Sequence, residues 1–346
     1  MSYELSVYLA KIGHQVIFFL HQPRVLQHQI QEPLPEGLEI RAWPGTGRPN
    51  QLRHLFWFLK IGLKFKPHLV VGHFSGAIPA ILGSKLLFWR RTKTFIYYHT
   101  LRSQLELDRS RQNLLGMFRF WRRKLFYRLF CDSVLANSVR AKQDFDRHFK
   151  MSKSISHLTP LPDRFQGLSE PTRQLCFLGR LDRSKGLDIL LKAVSKCQKE
   201  LEKDGVSLVI AGSGQLESVL QEMPPFCRYL GRLPYSEVDK LINNSMAVCI
   251  PSRTDNLVTV GLETLMNGVA LLISKETGLA DYLEHGVDCV KFEPHSDSLE
   301  HVLRAILANQ YDLKAIGRQG RETYKRLFSV PSYCKVMEQI LGLKGV

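Results

Sequence analysis

Short apolar runs alternate with amphipathic helical patterns along almost the whole chain. This rhythm restricts the fold to α/β with parallel sheets. In the first half, His14–Leu20, His68–Gly72, Thr94–Tyr98 and Ser133–Ala136 read as buried strands, separated by helical patterns at Asn50–Leu63, Gly76–Leu87, Asn113–Phe130 and Val139–Phe149. In the second half the strands are Gln174–Leu178, Ser207–Ala211, Ala247–Ile250, Ala270–Ile273 and Cys289–Lys291. The helices there are Leu187–Leu201, Ser236–Asn243, Thr259–Asn267 and Ser298–Ala308. The stretch TPLPDRFQGLSEPT (Thr159–Thr172) interrupts the rhythm and marks a linker. With 346 residues, two domains are expected. After Ala308 two helical segments, Leu313–Leu327 and Pro331–Leu341, follow without a strand between them; such a pair can pack back across a domain junction.

The start of the chain departs from this scheme. An open α/β domain normally begins with a strand ending in a glycine-rich turn. Here Ser2–Ile12 reads as helix, Gly13 as its C-cap and His14–Leu20 as the next strand. The pattern predicts a vacant sheet position beside His14–Leu20 and His68–Gly72, and a natural reading frame extending upstream by about a strand and a turn.

Charge is placed one-sidedly. Residues 1–160 hold 25 Lys and Arg against 9 Asp and Glu, whereas the remainder holds 23 of each. A basic half implies an anionic partner: a nucleic acid, a phosphorylated substrate or an acidic membrane surface. At 44% hydrophobic and 23% charged residues, the composition excludes a disordered or fibrous chain. No apolar run reaches the roughly 18 residues of a membrane span, and no secretory leader pattern is present. The seven scattered cysteines form no CxxC pair, which argues for reduced thiols in the cytoplasm and against a zinc site.

Two stretches carry chemistry. GRLDRSKG (Gly179–Gly186) lies between a buried strand and a helix, where free N–H groups and the helix dipole favour an anion. Arg180, a planar fork, and Lys185, a point charge, can clamp a pyrophosphate there; the alternative is a solvated basic loop. The second stretch, PSRTDNLVTVGLETLMNG (Pro251–Gly268), puts Asp255 at a strand end, where open sheets bind ligands. Glu263 follows eight residues later in a helix. It can accept two ribose hydroxyls, while the backbone N–H groups of Asn256, Leu257, Val258 and Thr259 can meet sugar or phosphate. Alternatively, Asp255 forms a turn and Glu263 is an exposed helix residue.

Taken together, Cys176–Pro294 resembles the retaining glycosyltransferases of family 4. The resemblance rests on GRLxxxKG at Gly179–Gly186, IAGSG at Ile210–Gly214, YLGRLPYSEV at Tyr229–Val238, Pro251–Ser252, and Asp255 and Glu263 eight apart, followed by LETLMNGVALLIS. KPHLVVGHFSG, YYHT (Tyr97–Thr100) and CDSVLANS extend it more loosely into the first half. The resemblance implies a GT-B fold of two facing Rossmann-like domains: an acceptor-side domain at 1–160, a donor-binding domain at 173–325 and a terminal helix, 326–346, returning toward the first. It further implies that Arg180 and Lys185 neutralise the donor diphosphate, that Glu263 holds the ribose, and that Asp255 lies near the transferred sugar. Gly212, Gly231 and Arg232 would line the nucleotide, with Gly231 and Arg232 beside the base, and His99 would bond the donor sugar. Asp255 stands where the family more often has glutamate, as does Asp281.

The implied activity is metal-independent hexosyl transfer with retention, from a nucleotide-diphosphate sugar to a lipid-linked or glycan acceptor, in polysaccharide or glycolipid biosynthesis. No cofactor beyond the donor is expected. Two other readings stand beside it: a catalytically silent nucleotide-binding or scaffold protein, and a sugar-nucleotide epimerase of the same fold.

Helix candidate Leu114–Phe130 (LLGMFRFWRRKLFYRLF) carries an apolar stripe of Leu114, Met117, Phe118, Trp121, Leu125 and Leu129. Arg119, Arg122, Arg123 and Arg128 stand largely off it. Either this helix docks on an anionic membrane at the inner face, or its stripe packs on the sheet beneath a charged outer face. Nucleic acid is disfavoured as a partner because no RNP, KH or zinc-finger signature occurs.

Overall fold

A computed structural model describes residues 1–21, 33–45, 47–73, 75–99, 101–104, 114–167 and 172–343. The chain divides into two units: residues 1–99, 111–159 and 330–346, and residues 100–110 and 160–329. Both are α/β with all-parallel pairing among the described strands.

In the first unit β1 (Val16–Leu20) pairs with β2 (Leu38–Ala42). A separate four-stranded sheet runs in the order β3 (Leu69–His73), β4 (Lys93–Tyr98), β5 (Ser133–Ala136), β6 (Ser154–Ser156). No ladder joins β1 to β3 among the described residues. Side chains of helix α1 (Ser2–Lys11) pack on both: Leu5 and Leu9 share a cluster with Val16 of β1 and Leu69 and Val71 of β3. The terminal helix Val330–Leu341 adds Tyr333, Cys334, Met337 and Leu341 to that cluster, beside Phe95, Tyr97 and Leu135 of the sheet. Helices α2 (Leu52–Phe65), α3 (Ile78–Phe88), α4 (Leu114–Phe130) and α5 (Val139–Phe149) complete the unit. Ser138 begins α5 by accepting the Ala141 N–H at 2.9 Å.

Helix α4 departs from the one of its two sequence readings in which the apolar stripe packs on the sheet. Met117, Phe118, Trp121, Leu125 and Leu129 are 39–61% exposed. The inward face is built from larger rings instead: Phe120 meets Phe149 at 4.8 Å, and Tyr127 lies 5.7 Å from Phe145 and 5.3 Å from Phe149. Two aromatic rings seven residues apart bury enough area to choose the face. Arg119, Trp121, Arg122 and Arg123 are all exposed, and Trp89 at the end of α3 joins this surface through its edge contact with Phe130. The side chains of Leu114 and Leu115 lie outside the description.

The second unit has one six-stranded sheet in the order β12 (Val290–Phe292), β11 (Ala270–Ser274), β10 (Ser245–Ile250), β7 (Thr172–Leu178), β8 (Ser207–Ala211), β9 (Cys227–Tyr229). Its central strands are continuous apolar runs because both faces are covered. The covering helices include α6 (Leu187–Lys196), α7 (Gln198–Lys203), α8 (Tyr235–Asn243), α9 (Thr259–Met266), α10 (Ser296–Leu307) and α11 (Leu313–Leu327). The expected single helix Leu187–Leu201 is broken at Cys197, and the turn carries Leu201 into the core.

Candidate active site

The loops leaving the carboxyl ends of β7, β8 and β10 are packed backbone against backbone. Gly186 has φ +70, and a Cβ there would lie 2.1 Å from the Pro251 carbonyl oxygen; at Gly212, with φ +139, it would lie 1.8 Å from that of Gly179. Only glycine satisfies both the conformation and the space. Gly212 also donates its N–H to Gly231 O at 2.8 Å, so these two predicted nucleotide-lining glycines do meet. Arg232 beside them is exposed.

This packing brings Lys185 to Asp255. The Lys185 Nζ donates to Asp255 Oδ2, and the two side chains are only 17% and 7% exposed. Asp255 Oδ1 accepts the Asn256 N–H at 2.9 Å and Gln104 Nε2 at 3.4 Å. Its backbone is fixed by Asp255 N–H to Glu276 O and by Gly278 N–H to Asp255 O, at 3.3 and 3.0 Å. Asp255 is therefore a rigid, buried anion that aims a cation. Arg180 stays at the surface, its Nη1 donating to Asp182 Oδ2. Asn256 and Val258 are buried, Leu257 is half-buried and Thr259 is exposed at the first turn of α9. Nearby, Arg253 forks onto Asp188 at 2.7 and 2.6 Å, tying the β10 loop to α6.

Glu263 is buried at 3% exposure rather than standing on an outer helix face. Burial pushes its carboxyl up to about 7, Arg164 pulls it back and Asp239 adds to the rise. Arg164, in the linker, is a residue that sequence reading missed, since the Pro-bounded stretch around it has no periodicity to place it.

His99 lies in the first unit, at the end of β4. Its Nε2 is 3.0 Å from His73 Nδ1, and both rings stack with Tyr97. His157 meets Tyr97 edge-on at 5.1 Å. Burial pushes His99 and His157 down to about 4 and holds His73 well below its usual range. Sequence reading named His99 alone. The position of His73 at the end of the neighbouring strand β3 was the available signal for it, whereas His157 follows β6, which is too short to show in the sequence.

Two family models cover almost the whole chain: "Glycosyltransferase Family 4" over residues 1–160 and "Glycosyl transferases group 1" over residues 162–323.

The chain belongs to the group 1, family 4 glycosyltransferases.

Among curated relatives, an uncharacterized glycosyltransferase of Methanocaldococcus jannaschii is 28% identical over 41% of the chain and 38% of its own length. The GalNAc-alpha-(1->4)-GalNAc-alpha-(1->3)-diNAcBac-PP-undecaprenol alpha-1,4-N-acetyl-D-galactosaminyltransferase of Campylobacter jejuni is 29% identical over 43% of the chain and 42% of its length. The matched part thus spans less than half of each of these relatives. Anabaena Alr3699/HepE, solved in complex with UDP, superposes with a TM-score of 0.73 at 14% identity, over 99% of this chain and 96% of that one. The sucrose-phosphate synthase of Thermosynechococcus elongatus gives 0.73 at 17%, over 98% and 91%. At such identities these structures establish the GT-B fold and no more.

Proposed function

We propose that the chain transfers a hexosyl group, with retention, from a nucleotide-diphosphate sugar to a lipid-linked or glycan acceptor. The reading is carried by the Lys185–Asp255 pair, held at the carboxyl ends of parallel strands by two loops that only glycine can close. The Anabaena and Campylobacter likenesses support a sugar-nucleotide donor and a lipid-linked acceptor respectively. The second unit takes the donor and the first serves the acceptor. Lys185, with Arg180 swinging from Asp182, neutralises the diphosphate as the glycosidic bond breaks. Asp255 orients Lys185 and borders the transferred sugar, while Glu263 accepts the ribose hydroxyls. Asn256, Leu257, Val258 and Thr259 contribute backbone contacts, and Gly212, Gly231 and Arg232 border the base side.

Lys185 held in place and Arg180 closing from the surface stabilise the leaving charge with the chain's own cations, which makes the step metal-independent. The acceptor hydroxyl attacks the same face that the diphosphate leaves, and its proton passes to the departing phosphate oxygen. A melting-temperature panel with UDP, GDP and ADP and their sugars tests the reading, because ligand binding to the native state raises stability by mass action. Stabilisation by one base series, with sugar transfer unaffected by EDTA, is the expected result. Stabilisation without transfer would identify a silent nucleotide-binding protein, and an altered sugar nucleotide without any acceptor would identify an epimerase.

The acceptor side is assigned to an anionic membrane surface. Among the described residues no helix is long and apolar enough to cross a membrane. An interfacial helix needs apolar side chains facing out with cations at their flanks. Helix α4 has Met117, Phe118, Trp121, Leu125 and Leu129 outward beside Arg119, Arg122 and Arg123. Sedimentation should show binding to vesicles containing phosphatidylglycerol but not to pure phosphatidylcholine. Each arginine is worth about 1 kcal/mol near such a surface, so the Arg119/Arg122/Arg123→Gln triple variant should lose on the order of 100-fold in partitioning. Equal binding of the triple variant would remove α4 from the contact.

A further inference from the structure

Glu263 does not stand alone in its crevice. Arg164 Nη2 donates to Glu263 Oε1 at 3.4 Å, while the same guanidinium forks onto Asp239 through Nε at 2.8 Å and Nη2 at 3.2 Å. It lies over the Tyr235 ring, 4.9 Å from the centroid. The Arg164 N–H bonds Met266 Sδ at 3.2 Å, anchoring the linker to α9. Asn267 Nδ2 bonds both Asp239 Oδ1 and the Glu263 carbonyl at 2.9 Å, fixing α8 against α9.

We propose that Arg164 is a positioning residue for nucleotide recognition: it orients the Glu263 carboxyl and favours its charged form, so that it can accept ribose hydroxyls. This rests on Glu263 as the ribose acceptor proposed above.

The physical case is one of competing terms. A carboxyl this deeply buried favours its neutral form, and a neutral carboxyl offers a ribose diol one good acceptor fewer. Among the described residues the charged or titratable groups around it are few. Asp239 and Tyr235 face it from α8, and both disfavour its charge when ionised; Arg164 faces it from the linker. On the side of α11, Arg321 is engaged with Asp163 at 2.9 Å and with the Met266 carbonyl. Among the described residues Arg164 is thus the cation that opposes burial at Glu263. Because it is shared with Asp239 in a bidentate fork, it is rigid and cannot follow a ligand out of the crevice. An incoming ribose would meet a carboxyl whose rotamer is set and whose charged form the guanidinium favours.

The experiment reads Glu263 directly. With glutamate side-chain carbons labelled, the Glu263 carboxyl is identified by its loss in Glu263→Gln and titrated by NMR. The midpoint should lie near 7 in the wild type. In Arg164→Met it should rise by at least about one pH unit, the usual worth of an opposite charge within about 4–6 Å. Arg164→Lys should give a smaller rise, and it serves if the methionine variant fails to fold. UDP-glucose, whose diphosphate diester does not titrate near neutrality, is the binding probe. Arg164→Met should weaken it about 3- to 10-fold at pH 7.5 and recover toward wild type by pH 9. A purely structural role would weaken binding equally at every pH and leave the Glu263 midpoint in place; that result overturns the proposal. Failure of the wild type to bind UDP-glucose or any other sugar nucleotide would sink the donor reading instead, and the NMR midpoints would still judge the coupling.

Discussion

Replacing Lys185 with alanine is expected to abolish sugar transfer and to weaken nucleotide-diphosphate binding about 10- to 150-fold, the equivalent of a charge-assisted phosphate contact of about 1.5–3 kcal/mol. Binding of the bare nucleoside should hardly change, because the contact proposed for Lys185 is with phosphate and not with base or ribose. The variant should also be less stable. Asp255 is 5% exposed and loses its cation, and stranding one partner of a buried pair costs about 3–5 kcal/mol. The double variant Lys185→Ala with Asp255→Asn separates the two effects. It should regain most of the melting temperature, since the neutral amide needs no counter-charge, without regaining diphosphate affinity. Normal diphosphate binding by Lys185→Ala, measured by calorimetry, would show that the pair is structural and that the phosphates sit elsewhere.

Mild acid should unfold the first unit before the second. His73, His99 and His157 are neutral in the native state, held below their usual range by burial, with His99 and His157 pushed to about 4. In the unfolded chain each titrates near 6.5. Above that value both states are neutral and these groups contribute nothing to pH dependence. As pH falls below about 6.5 the unfolded state takes up protons that the native state resists, so stability drops until the native values are reached near 4. Each group adds a slope of up to about 1.4 kcal/mol per pH unit, and three together rival a domain stability of about 5–15 kcal/mol within two units. The surroundings of His157 offer little relief. His157 Nε2 has no hydrogen-bond partner among the described residues, and its Nδ1 sits 3.2 Å from the Leu158 carbonyl. Melting followed by tryptophan fluorescence suits this test, because all four tryptophans lie in the first half of the chain. The transition should fall steeply between about pH 6.5 and 4, and His157→Leu should flatten that fall. An unchanged slope in His157→Leu would mean that this ring is not among the groups resisting protonation.

The order of elements, their type and most of their limits were legible from periodicity alone. Buried parallel strands must be continuously apolar, and their crossover helices must alternate with them. The strands that escaped notice, β2, β6 and β9, sit at sheet edges, and two have only three residues. An edge strand is defined by its neighbour's free ladder more than by its own residues, so a segment such as SIS or CRY carries almost no signal. The glycines at 179, 186 and 212 and the charges at Arg180, Lys185, Asp255 and Glu263 were visible because each loop follows a strand end at a characteristic spacing.

Partnership was decided by the tertiary structure. Sequence spacing put two cations and two carboxylates near one crevice. It could not tell that Lys185 is held by Asp255, or that Glu263 is held by an arginine 99 positions earlier in a linker without periodicity. Likewise, the composition of α4 was plain, but which face it buries depended on rings contributed by α5. An apolar stripe states only that a side chain can be buried. Whether it is buried depends on which face of the helix finds the larger complementary surface, and that surface exists only once the distant segments have come together.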